Sequence, residues 1–411
     1  MQEQELIPHL FRTEYGKITA VLGKLLGMAH IETAEDIAGA TFLLALETWP
    51  YKGLPENPVA WLYTVAKNKA RNHIIRNKVF IEKVAANIKQ DTTENNEPEP
   101  DLSEQNITDS QLQMLFAICH PSISTESQIG LALRILCGFG IEEIAGALLT
   151  NKETINKRLY RAKEKLRAEK VNIEFPGEPE INNRLTTVLT TLYLLYSEGY
   201  YSESNSQLVR EDLCMEAIRF TCLLTENTHT NTPAVNALLS LMCFQSSRFA
   251  ARKNERGEII LYEDQDETLW NRDLITKGVY FLNRASYGNH ISRYHLEAAI
   301  AYWHTIKEDT KEKWEHILQL YNQLLQLEYS PIAALNRTYA LSKANSREEA
   351  IAETLKLQLE DNQFYFALLG ELYQGLDNDK ALRHLKKAQA LAKTTTDKQV
   401  IQKKIDLITS I

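Results

Sequence analysis

The chain has 411 residues, 44% of them hydrophobic, and its 46 basic and 54 acidic side chains give a net charge of −8. This length suits two or three domains, and the acidic balance excludes a protein that coats nucleic acid indiscriminately, so DNA contacts would need local basic patches. The five cysteines show no CxxC pairing, and neither a signal peptide nor a run of ~18–20 apolar residues is found. We therefore expect a cytoplasmic protein without a zinc site or membrane association.

Two helical patterns open the chain, at residues 6–30 and 34–49. The second, AEDIAGATFLLALETW, is apolar on two sides. One apolar face includes Ile37 and Thr41, and the neighbouring face includes Phe42. Such a helix is either fully buried, or it packs inward on one side and binds a partner with the other.

After a loop with three prolines and a glycine, residues 61–78 form the next predicted helix. From Lys67 to Lys83 there are six basic residues and one acidic residue. Four polar residues share one face of this helix: Lys67, Asn68, Arg71 and Asn72. Aromatic Trp61 and Tyr63 stand at its start, and rings beside a basic face suit single-stranded DNA. The alternative is that Trp61 belongs to the core.

An acidic segment follows at residues 91–104, with six acids, no bases and two prolines. Because it has almost no apolar residues, we predict a disordered linker. Fourteen residues span at most about 46–50 Å, enough to separate two DNA-reading modules by more than a helical turn.

The pattern of residues 140–170 predicts two helices separated by a short polar turn. The first carries an apolar stripe of Ile141, Ile144, Ala145 and Leu148. Thr150 or Asn151 can cap the second helix. The predicted core of that second helix is Ile155, Leu159, Ala162 and Leu166. From Lys152 to Lys170 there are eight basic and three acidic residues, so the pattern favours a helix-turn-helix with a DNA-reading second helix. The alternative is an ordinary helical hairpin with a solvated charged face.

These two stretches, in this order, resemble a known family. AEDIAGATFLLALETW followed by NPVAWLYTVAKNKARNHIIRNK is similar to region two of a bacterial RNA polymerase sigma factor of the extracytoplasmic-function type. GFGIEEIAGALLTNKETINKRLYRAKEKLR is similar to region four of that family. The resemblance implies region two at residues 1–84, a flexible acidic linker at 85–106 and region four at 107–172. Because the polymerase makes the bonds, it implies neither catalytic residues nor a cofactor.

The resemblance also implies site residues. Docking on the coiled coil of the largest polymerase subunit falls to Asp36, Ile37, Thr41, Phe42 and Leu43. Recognition of the −10 element falls to Asn57, Trp61, Tyr63, Lys67, Asn68, Arg71 and Asn72. Recognition of the −35 element falls to Lys152, Glu153, Thr154, Asn156, Lys157 and Arg158, with Arg161 and Lys165 on phosphates. The implied partners are core RNA polymerase, through that coiled coil and its flap, and promoter DNA.

From residue 183 onward the chain is helical throughout, so the predicted fold class is all-α. Residues 333–358 resemble residues 366–391, each a helix, a short polar turn and a second helix. This spacing is close to a tetratricopeptide repeat (TPR), and the whole part at 180–411 resembles the TPR-like C-terminal extension of a sigma-factor subgroup. Small residues should let the paired helices approach: Ala340, Ala350, Gly370, Ala381 and Ala388.

The extension offers one candidate ligand or metal cluster, Asp264, Asp266 and Trp270 with Gln265 and Arg272. The favoured alternative is a polar joint whose acids cap the helix near Glu267, and His295 and His304 are interpreted as structural. Two functional hypotheses follow. The first is an initiation factor whose helical extension regulates it in cis, with a protein or small molecule as an open further partner. The second is a TPR-like protein-binding scaffold or ligand sensor with a sigma-derived DNA-binding module.

Overall fold

The computed structural model describes the backbone of residues 3–84, 100–148, 150–201, 207–252, 260–392 and 395–409. These residues form α-helices joined by short turns and contain no β-strand, which confirms the all-α prediction. Most of the predicted linker, residues 85–99, lies outside the described residues. Its predicted end at residue 106 differs from the structure, because α4 already begins at Glu104, beyond a turn in which Asp101 accepts the backbone N–H of Ser103 at 2.9 Å.

The chain forms two compact units, Met1–Thr230 and Asn231–Ile411. The first unit contains α1 (Glu3–Leu26), α2 (Ile31–Lys52), α3 (Pro58–Val84), α4 (Glu104–Ile118), α5 (Thr125–Leu131), a π-helical turn (Ala132–Leu136), α6 (Ile141–Ala147), α7 (Lys152–Ala168), α8 (Glu178–Tyr201) and α9 (Gln207–Glu226). Helix α2 continues through Pro50 and ends at Lys52, and the next residue, Gly53, has a φ of 80°, in the left-handed region that glycine adopts easily.

Helix α1 is the centre of the first unit, because it packs against α2, α3, α4 and the π-helical turn. Its residues Ile18 and Leu22 are fully buried, as are Leu112 and Met114 of α4. Residues of the predicted region two therefore share one hydrophobic core with residues of the predicted region four.

Helices α8 and α9 cover a further side of α4 and α5. The Arg184 guanidinium donates to the carbonyl oxygen of Phe116 at 2.6 Å, and the buried Thr191 hydroxyl donates to the side chain of Gln128 at 2.8 Å. A compact unit therefore ends at Thr230, whereas the sequence places the start of the extension at residue 180. The first two helices of the extension pack with the N-terminal part.

The second unit is a succession of packed helices. They are α10 (Pro233–Ser246), α11 (Arg272–Ala285), α12 (Arg293–Trp303), α13 (Lys311–Leu327), α14 (Pro331–Ala344), α15 (Arg347–Lys356), α16 (Gln363–Tyr373), α17 (Asn378–Leu391) and α18 (Thr395–Thr409). Most begin at a Ser, Thr, Asn or Asp whose side chain accepts a backbone N–H, which satisfies an otherwise unpaired donor.

The two similar sequence segments become the helix pairs α14–α15 and α16–α17. The small residues named from the sequence are all buried at these contacts. At Gly370 the approach is close, because a Cβ there would lie 2.6 Å from Cγ of Leu385. The pairing of helices through small side chains is thus present as expected.

Candidate nucleic-acid and polymerase interfaces

Helices α6 and α7 pack against each other across a short turn. The side chain of Asn151 caps α7 by accepting the backbone N–H of Thr154 at 2.8 Å. Asn151, rather than Thr150, is therefore the cap. The predicted core of α7 is confirmed, since its buried residues are Ile155, Leu159, Ala162 and Leu166. This core row holds the opposite face of α7 on the surface.

The exposed face of α7 carries most of the residues predicted to read the −35 element. The exposed ones are Lys152, Glu153, Asn156, Lys157, Arg161 and Lys165, and Thr154 and Arg158 are half-buried. Lys152 pairs with Glu142, and Lys165 pairs with Glu169 at 2.8 Å. Tyr160 lies on the same helix and is 64% exposed.

Basic residues on another side of α7 face inward. Glu35 of α2, which is 7% exposed, accepts from Lys163 and, at 3.1 Å, from Nε of Arg134. Arg167 pairs with Glu32 of α2. Ion pairs therefore join the predicted polymerase-binding helix to the predicted DNA-reading helix, which residue spacing alone could not indicate.

Helix α2 divides the five residues predicted to bind polymerase. Ile37, Thr41 and Phe42 are buried, and the Phe42 ring meets Phe11 of α1 edge-on at 5.0 Å. The other two predicted residues, Asp36 and Leu43, are exposed.

After Leu43, the exposed residues of α2 are Leu46, Glu47, Pro50, Tyr51 and Lys52. Leu43 and Leu46 are 56% and 53% exposed and lie three residues apart on one helical face, so together they form a small apolar patch. Of the two sequence alternatives for this helix, the structure has the one that packs inward and leaves an apolar outer row.

The aromatic residues at the start of α3 are engaged within the fold. Trp61 meets Trp49 edge-on at 5.3 Å, and the Tyr63 hydroxyl donates to Glu14 at 2.6 Å. Burial and that carboxylate raise the pKa of Tyr63 well above its ordinary value. The side chain of Asn57 accepts the backbone N–H of Ala60 at 3.0 Å at the start of α3.

The polar face further along α3 is more accessible. Asn68, Arg71 and Asn72 are exposed, and Lys67 is half-buried. The structure therefore places the predicted −10 residues in two groups, an aromatic group packed against α1 and α2 and a polar group on the surface.

The candidate ligand cluster in the second unit has the geometry of a cap. Asp266 accepts the backbone N–H of Thr268 at 2.9 Å and its hydroxyl at 2.7 Å, and these hydrogen bonds lower the pKa of Asp266. Trp270 is buried against Tyr262, with ring centroids 6.2 Å apart. Within the described ranges, no group of three or more His, Cys, Asp or Glu residues could hold a metal ion.

Tyr262 is the centre of a partly buried cationic and aromatic cluster in the second unit. The ammonium of Lys313, a residue only 2% exposed, donates to the Tyr262 hydroxyl at 3.1 Å and to the Ile306 carbonyl at 2.6 Å. The His304 ring meets Tyr262 edge-on at 5.2 Å. Burial, with the nearby charges of Arg248 and Lys313, lowers the pKa of His304 to about 3.

This depressed pKa predicts a pH-dependent stability. The folded-state pKa lies below the ordinary value of 6.5, so between these values only the unfolded chain binds the proton and the free energy of unfolding falls as pH falls. At pH 5 the loss is about 2 kcal/mol relative to pH 7.5. We expect His304→Phe to remove that part of the loss, as measured by urea denaturation at both pH values. Equal pH dependence of the two proteins would contradict the prediction.

Comparisons with known proteins give two domain matches. Residues 10–79 match the model of sigma-70 region 2, and residues 184–286 match a family of unknown function, DUF6596. The second match extends across the boundary between the two units at Thr230.

One relative is similar over most of both chains and therefore indicates the family. Uncharacterized protein R00370 of Rhizobium meliloti (strain 1021) is 31% identical over 385 residues, which cover 92% of this chain and 90% of that protein. No solved structure matches. In the described part of the chain, every helix is too short or too polar to cross a membrane.

Proposed function

The chain belongs to the family of protein R00370, and because its N-terminal part also matches sigma-70 region 2, we propose that it is a transcription initiation factor of the extracytoplasmic-function type. The region 2 match supports membership of the chain in the sigma-70 family of sigma factors. In this proposal the protein is cytoplasmic and brings core RNA polymerase to promoters. The polymerase performs the chemistry, so the proposed role needs neither a catalytic residue nor a cofactor.

The exposed row on α2 is the proposed contact with the coiled coil of the largest polymerase subunit. Leu43 and Leu46 supply apolar surface, and the exposed acids Asp36 and Glu47 flank it. An apolar centre with a polar rim is the usual anatomy of a protein interface. The buried Ile37, Thr41 and Phe42 would support this row from behind.

The polar surface of α3 is the proposed reader of the −10 element. Asn68, Arg71 and Asn72 are accessible and offer hydrogen-bond donors to bases and phosphates. Trp61, Tyr63 and Asn57 already have partners within the fold, so base stacking or base capture by them would require local rearrangement.

Helices α6 and α7 are the proposed helix-turn-helix, with α7 in the major groove of the −35 element. Asn156, Lys157 and Arg158 would contact base edges, since Arg and Lys discriminate guanine and Asn discriminates adenine. Arg161 and Lys165 would contact phosphates, and the remaining part of region four would contact the polymerase flap. The exposed basic face of α7, in a chain with a region 2 match, is the observation that carries the proposal.

The initiation role is tested by run-off transcription with core polymerase and full-length protein, where we expect promoter-dependent transcripts from the wild type. The −35 assignment is tested by measuring promoter binding. The charge reversal Lys157→Glu/Arg158→Glu should weaken that binding by about 30-fold or more, since each lost base contact costs about 1–3 kcal/mol. The matched control is Lys277→Glu/Lys311→Glu, which reverses two exposed charges of the second unit.

Two outcomes would count against the proposal. A wild-type protein that gives no promoter-dependent transcript contradicts the initiation role. If the α7 variant and the control bind the promoter equally well, α7 is not the −35 reader.

A second candidate function rests on the second unit, whose helix pairs we interpret as TPR-like. An open cavity of about 980 Å³ lies beside Tyr339, Arg347, Glu371 and Lys404. This volume suits a peptide or small molecule. A protein-binding scaffold or ligand sensor is therefore the alternative function. If the protein is instead an initiation factor, as preferred above, a ligand of this cavity would modulate the regulation in cis that we assign to the C-terminal extension.

A further inference from the structure

The end of the second unit is unusually basic. From Lys380 to Lys404 the sequence has eight basic residues and one acidic residue, Asp397, in a chain of net charge −8. Over the second unit as a whole the two kinds of charge are equal, at 23 each. The basic residues are therefore concentrated at one end of a neutral unit.

Helix α17 presents part of this charge on one surface. Its buried residues, Ala381, Leu385 and Ala388, anchor it to the unit. Its exposed cations are Lys380, Arg383, Lys386 and Lys387. We call these four residues the α17 stripe. Positions 380, 383 and 387 have the spacing of one helical face and span about 10 Å along the axis.

The cations at the two ends of the α17 stripe rest on aromatic rings. His384 stacks between Phe366 and Tyr373, with ring centroids 5.9 and 5.5 Å apart. The ammonium of Lys387 lies 4.2 Å from the Phe366 centroid, and that of Lys380 lies 5.3 Å from the Tyr373 centroid. These contacts limit the motion of the side chains, so less conformational entropy is lost when they bind a ligand.

Three of the four cations in the α17 stripe make no ion pair with a described carboxylate. Lys380 pairs with Asp377 at 3.0 Å. Among the described residues, no carboxylate lies within ion-pair distance of Arg383, Lys386 or Lys387. A helix that is merely solvated usually carries opposite charges three or four residues apart. In α17, Arg383 has an acid at that spacing, Asp379, whereas Lys386 and Lys387 have none.

We propose that the α17 stripe binds the phosphate backbone of double-stranded DNA, as a sequence-independent contact. Closely spaced cations, three of the four without an ion-pair partner among the described residues, are the footprint expected for a polyanion. An anionic membrane fits less well, because membrane-binding helices insert their apolar face and that of α17 is buried. The idea that the stripe also contacts DNA in promoter complexes rests on the proposed function. The contact with DNA itself does not.

The test measures the binding of full-length protein to a fluorescent 40-bp duplex without a promoter, from 50 to 300 mM KCl. The variant is Arg383→Gln/Lys386→Gln/Lys387→Gln. We expect the slope of log K against log[KCl] to become shallower by about 2–3, since each phosphate contact contributes about 0.9. The matched control, Lys277→Gln/Lys311→Gln/Lys356→Gln, removes three exposed charges of the same unit and should keep the wild-type slope.

Equal slopes for the variant and the control would overturn the proposal. Because the duplex has no promoter and the assay has no polymerase, failure of the initiation role leaves this test intact. Conversely, a stripe without DNA affinity leaves the −35 test on Lys157 and Arg158 unaffected.

Discussion

Replacing Gly16 with alanine is expected to lower the free energy of unfolding by about 3 kcal/mol. A Cβ at this position of α1 would lie 1.8 Å from the carbonyl oxygen of Leu136 and 2.6 Å from its carbonyl carbon. Both atoms belong to the backbone of the π-helical turn, so no side-chain rotation relieves the overlap. The helix α1 and residues 132–136 would have to move apart, which opens the core shared by the predicted regions two and four.

The matched control is Gly39→Ala in α2. Apart from the backbone of α2 itself, a Cβ at this position would meet no atom within 4 Å, so the substitution should stabilise the helix by about 0.5–1 kcal/mol. Urea denaturation of both variants gives the comparison, and hydrogen–deuterium exchange of α1 localises the loss. If Gly16→Ala is as harmless as Gly39→Ala, α1 does not pack on residues 132–136 in solution.

Ion pairs between α2 and α7 also bear on the proposed function. In the structure, α2 and α7 are joined by Glu35 with Lys163 and by Glu32 with Arg167. The proposed readers of the −10 and −35 elements are therefore held in one compact unit.

Local features of this chain could be predicted from the sequence. The apolar spacing of Ile155, Leu159, Ala162 and Leu166 determines which side of α7 is buried, because helical periodicity is a local property. The cap at Asp266 and the cap at residue 150 or 151 follow from side chains that reach a backbone N–H two or three residues later, and the structure selects Asn151. The all-α class follows from the same patterns.

Long-range packing could not be predicted in this way. Helix α2 is apolar on two sides, and only the position of α1 determines that Phe42 is buried while Leu43 is exposed. Glu35 and Lys163 are 128 residues apart, and their spacing carries no signal of contact. The packing of α8 on α4 and α5 likewise depends on a few distant partners, such as Arg184 with Phe116.

Removing the chain after Lys170 is expected to destabilise the N-terminal unit severely, whereas removing it after Thr230 is not. The shorter protein loses α8 and α9, so α4 and α5 become exposed and the buried Gln128 loses its Thr191 partner. Losing several buried apolar side chains and a buried hydrogen bond should lower the melting temperature by at least about 10 °C. Protein 1–230 keeps the complete unit and should unfold in one cooperative transition.

Circular dichroism melting of 1–170 and 1–230 checks this, and equal melting temperatures would contradict the role of α8 and α9. The stable truncation then becomes the correct reagent for run-off transcription, because a defect of 1–170 would reflect misfolding rather than regulation. A difference in promoter-dependent transcription between 1–230 and the full chain is the result that regulation in cis requires. Equal activity of the two proteins would show that residues 231–411 do not control initiation.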